Sequence, residues 1–302
     1  MNFQHRPRRI AIVGGTHGNE KSGVWVVRAM RDQPDRFRRP GIQVRPLLAN
    51  VEAERSNLRF LDRDLNRCFG PELRNLTDCA PDSREAGRAA EIKSELEGTD
   101  LVIDVHNTTA AMGLTWILTD ASPWVWWLAS EAVRANPRVR ILYTPETKAS
   151  NVFLPSLGKT EITLEIGPVP HGTHSHWAAE AAIAHVEFIL DTLSAAPDSF
   201  EPRVSLEAAS FEYFLGLSSC DYPRASDGSV TATIHKDFTG RDYLPLTDGA
   251  PIFHDPVHDM TIVYRGETIH PVFIGEAAYV EKGIAYTPTL LRSWDGGREV
   301  IR

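Results

Sequence analysis

Near its start the chain reads Arg9-Ile10-Ala11-Ile12-Val13-Gly14-Gly15-Thr16-His17-Gly18-Asn19-Glu20. A short apolar run ends in a glycine-rich turn, and Val24, Val27 and Met30 then recur on one helical stripe. That predicts a buried strand, a tight turn and a helix packed back onto the strand. The same alternation continues. Ile42 to Leu48 reads as a second strand. Ser83 to Glu97 reads as a helix capped by Ser83 and ended by Gly98. Asp100 to Val105 is a buried-type strand, Pro123 to Asn136 a helix, Ile162 to Ile166 a strand, and Trp177 to Leu193 a long helix. Alternating strands and helices argue an α/β fold, a sheet flanked by helices.

Past residue 198 the texture changes. Ala195-Ala196-Pro197-Asp198 reads as a linker. After it come short β-like runs at 210–215, 229–235, 261–264 and 268–274, with turn signals at Asp227-Gly228 and Arg265-Gly266. Two domains are expected, 1–198 and a smaller, mostly β 199–302, and 302 residues suit about two.

With 42% hydrophobic and 24% charged residues, the composition is globular. Lys and Arg number 32 against 40 Asp and Glu, a net charge of −8. The first 74 residues are basic, a net of +7. Their aromatics are not interleaved with the arginines, so nucleic acid is not expected as a partner. No apolar run reaches the ~18–20 residues of a membrane span, and Ile10 to Val13 is too short for a secretory signal core. Cys68, Cys79 and Cys220 are odd in number, widely spaced and form no CxxC pair, which favours a reducing compartment. A cytoplasmic protein is expected.

His17 and Glu20 stand three residues apart at a strand end, where they can converge on one cation. Zinc takes nitrogen and oxygen ligands and, in catalytic sites, three from the protein. His106 is the best third ligand, because it closes the run Asp100 to Asn107 at the strand edge where α/β sheets collect ligands. Asp104, two residues earlier, shares its strand face and is placed to orient it. The competing reading makes His17 and Glu20 exposed helix-start residues. His171, His174 and His176 form a rival cluster, otherwise loop and capping residues.

The run Asn57 to Phe69 holds Arg59, Arg63 and Arg67 beside Asn66. Planar guanidinium groups pair with carboxylates in a bidentate fork, so Asn66 and Arg67 could grip one. The alternative is a solvated charged loop. Glu165 sits in the apolar strand Thr163 to Ile166, where burial would raise its pKa towards the range useful for proton transfer. Its alternative is a buried ion-pair partner. Trp124-Val125-Trp126-Trp127 cannot point all its rings one way on a helix; core packing is favoured over an oligomer contact.

Taken together, GGTHGNE (14–20), RFLDRDLNRCF (59–69), DVHNTT (104–109), LEIGP (164–168) and PVFIGEAAYVEK (271–282) resemble the aspartoacylase and succinylglutamate desuccinylase family. That family is a branch of the zinc-carboxypeptidase-like folds. The segments keep chain order and span nearly the whole sequence. The resemblance implies a mixed sheet with a β domain that lends to the pocket, and one Zn2+ per chain held by His17, Glu20 and His106. It implies that Glu165 activates the water and protonates the leaving amine, and that Arg59 polarises the scissile carbonyl. It gives the substrate carboxylate to Asn66 and Arg67, and adds Tyr279 from the second domain. Read without it, Tyr279 is an ordinary strand aromatic. The implied partner is a small N-acyl amino acid, N-acetyl-L-aspartate first, and the implied assembly is a homo-oligomer.

The sequence also departs from the pattern. Aspartate-cleaving members carry an Arg about ten residues before the catalytic Glu; 151–159 contains none, and Lys159 is its only base. The family's Gln-Pro-Gln-Gly is here Val169-Pro170-His171-Gly172. Either Lys159 or His171 grips an acidic side chain, or the substrate is less acidic, as in the aromatic-preferring aminoacylase branch. A carboxypeptidase-like peptidase is the further alternative.

Overall fold

The computed structural model describes residues 5–70, 82–146, 150–295 and 298–301. Among them the chain forms one nine-stranded sheet and one three-stranded sheet. β1 (Arg9–Gly14), β2 (Gln43–Leu48), β3 (Leu101–Asn107) and β6 (Thr160–Gly167) are parallel neighbours in the order β2-β1-β3-β6. β4 (Gly113–Leu118) runs antiparallel to β6 and carries β5 (Val139–Tyr143) on its other side. The sheet continues through β7 (Ser210–Gly216), β11 (Thr289–Asp295) and β12 (Arg298–Ile301). The boundary expected near 198 therefore has strands of the large sheet on both sides.

The first turn has the expected strand–turn–helix form, with α1 at Lys21–Asp32. Gly15 adopts φ +67, open to glycine without the Cβ penalty. A Cβ on Gly18 would lie 2.2 Å from the Ala53 backbone in α3 (Val51–Ser56), so glycine alone lets the turn seat there. The short α2 (Pro34–Phe37) follows α1. α4 (Arg84–Glu95) is capped by Ser83, whose hydroxyl accepts from Ala86 N. α5 (Pro123–Ala135) and α6 (His176–Ala195) pack on the opposite face of the sheet from the cavity described below.

That helix-covered face is the main core, with Ile10, Ile12, Ile103, Trp116, Ile162 and Leu164 buried against α1, α5 and α6. The tryptophan run belongs to it. Trp124 and Trp127 meet Phe200 beside α7 (Pro202–Glu207), and Trp126 packs between Tyr143, Tyr213 and Trp294 of the sheet. The three rings point different ways, and all find core. Cys68 is disulfide-bonded, so the expectation of unpaired thiols in a reducing compartment is not met there; Cys220 is free, and Cys79 lies outside the described residues.

The second sheet runs β10 (Met260–Val263), β9 (Pro251–Asp255), β8 (Thr233–Ile234) over its own core of Phe238, Leu246, Phe253, Ile274 and Tyr286. The turn at Asp227-Gly228 forms, with Gly228 at φ +85. The strand expected at 268–274 does not. Only single bridges join Ile269 to Leu246 and Val272 to Thr287. Pro271 has no N–H to give a ladder, and Phe273 sits at φ +54, outside the β region.

Candidate metal centre and active site

β1 and β3 end side by side, which brings the turn after β1 against His106 near the end of β3. His17 Nδ1 lies 2.7 Å from Glu20 Oε1, and His106 Nδ1 lies 2.8 Å from Glu20 Oε2. The two Nδ1 atoms are 3.2 Å apart. One donor atom from each residue falls within 4.8 Å of the others, and all three side chains are buried. Donors at ~2.0–2.1 Å from one tetrahedral ion would be about 3.3 Å apart, so the set fits a small divalent cation. The far nitrogens are held as well. His17 Nε2 lies 3.1 Å from Asp64 Oδ1, and His106 Nε2 lies 2.8 Å from Asp104 Oδ2. Each carboxylate can only accept, so each imidazole donates from Nε2, which would leave Nδ1 to give its lone pair to a bound cation.

The electrostatics agree. Burial opposes charge on Glu20, but the His17 and His106 rings overcome it and hold the carboxyl well below its usual range. Burial likewise opposes a charged His106, yet Asp104 and Glu20 raise it well above an ordinary histidine. Asp64 is pulled down despite burial by His17, Arg67 and Arg59. The cluster is a pocket of negative charge balanced by protons that a cation would displace.

Glu165 faces the same pocket. Its register partner across β3–β6 is His106, so the two share a face of the sheet. Burial pushes its carboxyl well above the usual range, with Glu20 and Glu276 adding to the shift and His106 and Arg59 opposing it. Arg59 donates from Nη1 to Glu20 Oε1 at 2.8 Å, and its Nη2 lies 3.8 Å from Asp64 Oδ2. Its buried Nε has no hydrogen-bond partner. Asn66 sits in the turn Leu65–Arg67, capped by Asp64. Its Oδ1 accepts from Leu154 N at 2.8 Å, which ties this turn to the segment bearing Phe153. The Arg67 guanidinium lies 4.6 Å over the Phe153 ring. Tyr279 comes from the short helix Ala277–Lys282 and packs on Phe273. Burial raises its phenol, with Glu165 adding.

All eight predicted residues come together and line one cavity of about 670 Å³. The rival histidines disperse. His174 accepts from Trp25 Nε1, His176 pairs with Glu180 on the surface, and His171 Nε2 lies 3.5 Å from Glu276 Oε1. Lys159 is not in the cavity either. Its ammonium pairs with Asp100 at 2.8 Å, before the first residue of β3. His106 stands at the other end, roughly 20 Å away at ~3.3 Å per residue.

Three groups at or beside the site escaped the sequence reading. Asp64 orients His17. Lys282 Nζ reaches Asp64 Oδ2 at 2.8 Å from 218 residues away. Glu276, 2% exposed, accepts from Thr108 Oγ1, Thr109 N and Ala278 N, and so clamps the loop after β3 to the segment carrying Tyr279. Asp64 had one available signal, a carboxylate two residues before Asn66 in the arginine-rich run.

A mixed α/β sheet thus carries a His-Glu-His cluster at its strand ends. The chain belongs to the succinylglutamate desuccinylase/aspartoacylase family. Residues 7–193 match its catalytic domain, and residues 209–289 match its barrel-sandwich hybrid domain. It is 36% identical over 283 residues to a probable aspartoacylase of Nostoc sp., covering 92% of this chain and 94% of that one. It is also 36% identical over 290 residues to an N-acyl-aromatic-L-amino acid amidohydrolase of Xenopus tropicalis, covering 93% and 92%. Murine aminoacylase 3 superposes with a TM-score of 0.86 at 30% identity, over 99% of this chain and all of that one.

Proposed function

We propose that the protein hydrolyses the amide bond of N-acyl-L-amino acids with zinc held by His17, Glu20 and His106. The convergence of those three donors beside Glu165 carries the reading. When bound, zinc lowers the pKa of water to ~7 and polarises an amide carbonyl. The chain's own groups do the rest. Glu165 takes a proton from the attacking water and returns it to the departing nitrogen, and its raised pKa suits both steps. Arg59 lies beside the cluster with an unpartnered Nε, placed to favour the charge that develops on the carbonyl oxygen. The Asn66 amide nitrogen and the Arg67 fork face the cavity as the grip for the α-carboxylate. Tyr279 keeps its proton and would donate from the cavity wall.

The cavity favours an apolar side chain over an acidic one. Ile117, Leu142, Phe153, Leu217, Phe273 and Ile284 line it. Among the described residues its cations are Arg59, Arg67 and Lys282, each with a task or partner already given. Neither Lys159 nor His171 offers the second grip that an aspartate side chain needs. Turnover of N-acetylated Phe, Tyr, Asp and Glu by the zinc-loaded enzyme tests this. Higher kcat/KM on the aromatic pair, and a drop of ~10²–10⁴-fold in kcat for Glu165→Gln, are expected. Equal turnover by Glu165→Gln would overturn the assigned roles. N-acetyl-L-aspartate is the second reading, because Lys282 lines the cavity and exchanging Asp64 for a substrate carboxylate would give it that role.

A further inference from the structure

The sheet register puts one more residue in line with the reacting groups. His106 on β3 is opposite Glu165 on β6, and Glu165 is opposite Thr115 on β4. Directly paired residues share a face, with Cβ atoms ~4.5–5.5 Å apart in an antiparallel pair. Thr115, Glu165 and His106 are therefore a row across three strands, and Thr115 forms the wall behind the Glu165 carboxylate. It is 1% exposed and does not line the cavity.

Its one proton is committed. Oγ1 lies 2.8 Å from Met112 O and 2.8 Å from Tyr243 Oη. A carbonyl can only accept, and a threonine hydroxyl has one proton, so Thr115 donates to Met112 and Tyr243 must donate to Thr115. Tyr243 comes from 128 residues further along the chain and is held there at cost. Its φ is +65, disfavoured for an aromatic residue. Its N–H donates to Pro271 O, and its ring packs on Phe214 at 4.6 Å. Burial keeps the phenol protonated. A strained backbone that aims one buried hydroxyl at one buried threonine is a feature to be explained by what it positions.

We infer that Tyr243 and Thr115 are positioning residues for Glu165. The Tyr243 hydroxyl fixes the threonine rotamer and Met112 O takes the threonine proton, so neither hydroxyl is free to donate to Glu165 from its β4 side. The carboxylate then points its oxygens into the cavity rather than back into the sheet. This rests on the proposed reaction.

Tyr243→Phe, Thr115→Val and Thr115→Ser test it in the full-length zinc-loaded enzyme, alongside Tm and zinc content. Tyr243→Phe and Thr115→Val should each lower kcat by ~10–100-fold with KM within twofold, the size of effect a misplaced group produces. Thr115→Ser, which keeps the hydroxyl, should restore wild-type kcat. The double variant should be no slower than the slower single one, since both remove one unit. Unchanged kcat in Tyr243→Phe with intact fold and zinc overturns the inference. So does a fall in every variant that merely follows Tm, the serine included. A wild-type enzyme that hydrolyses no N-acyl amino acid overturns the proposed reaction itself, and the inference with it.

Discussion

Asp242 joins the two halves of the molecule through a buried carboxylate. Its Oδ2 accepts from Ala111 N in the loop after β3, and its Oδ1 accepts from Ile274 N, two residues before Glu276. Burial raises its pKa from 3.8 to about 6, against four backbone N–H groups that pull it down. A raised carboxyl binds its proton more tightly in the folded state than in the unfolded chain. Its contribution to stability is therefore fullest below pH ~4 and declines as pH climbs to ~6. A gap of about two pKa units is worth on the order of 3 kcal/mol, of which some is already lost at pH 4. Between pH 4 and pH 7 this group alone should cost about 2 kcal/mol. Asp242→Asn cannot titrate. Urea denaturation of both proteins at several pH values gives the stability difference directly. The asparagine loses one acceptor, a constant offset, so the slope of the difference is the readout. It should move by about 2 kcal/mol in favour of the variant from pH 4 to 7. A difference that stays flat with pH would refute the reasoning.

Glu276→Ala leaves the half-buried Thr109 N and Ala278 N without their acceptor, at up to ~1–3 kcal/mol each. Denaturation should show a loss of about 2–5 kcal/mol, and assays a loss of activity, because Tyr279 is no longer held to the cavity. Asp64→Asn should weaken zinc affinity by ~10–100-fold in competition with a chelator, by loosening His17; unchanged affinity would remove Asp64 from the site. Trp126→Ala empties a space shared with Tyr143, Tyr213 and Trp294 and should cost ~3–5 kcal/mol in the same denaturation assay.

What the sequence reveals follows how local the physics is. The strand and turn at residues 9–20, the capped helix after Ser83 and the buried run ending at His106 all carry their signal within a dozen residues. β4 and β5 do not. Thr115 faces Tyr243 and Ile117 faces the cavity, while Trp116 and Leu118 face the helical core, so the alternation that marks a half-exposed strand is blurred. β5 pairs only Leu142 and Tyr143 with β7, a contact that no local pattern announces. The metal ligands are legible because chemistry restricts them to few residue types at a strand edge. Glu276, Lys282 and Tyr243 are not, because each acts across more than 120 residues of chain. Tyr279 enters the sequence reading through family resemblance alone. Phe273 and Pro271 show the opposite failure, an apolar run whose backbone cannot be a strand.

Metal analysis of the purified full-length chain, dialysed after loading with zinc, tests the central claim most directly. About one zinc per chain is expected, with the metal lost in His106→Ala and Glu20→Ala while the fold persists by circular dichroism. A wild-type protein that turns over N-acyl amino acids at full rate with less than a tenth of an equivalent of any divalent metal would contradict it.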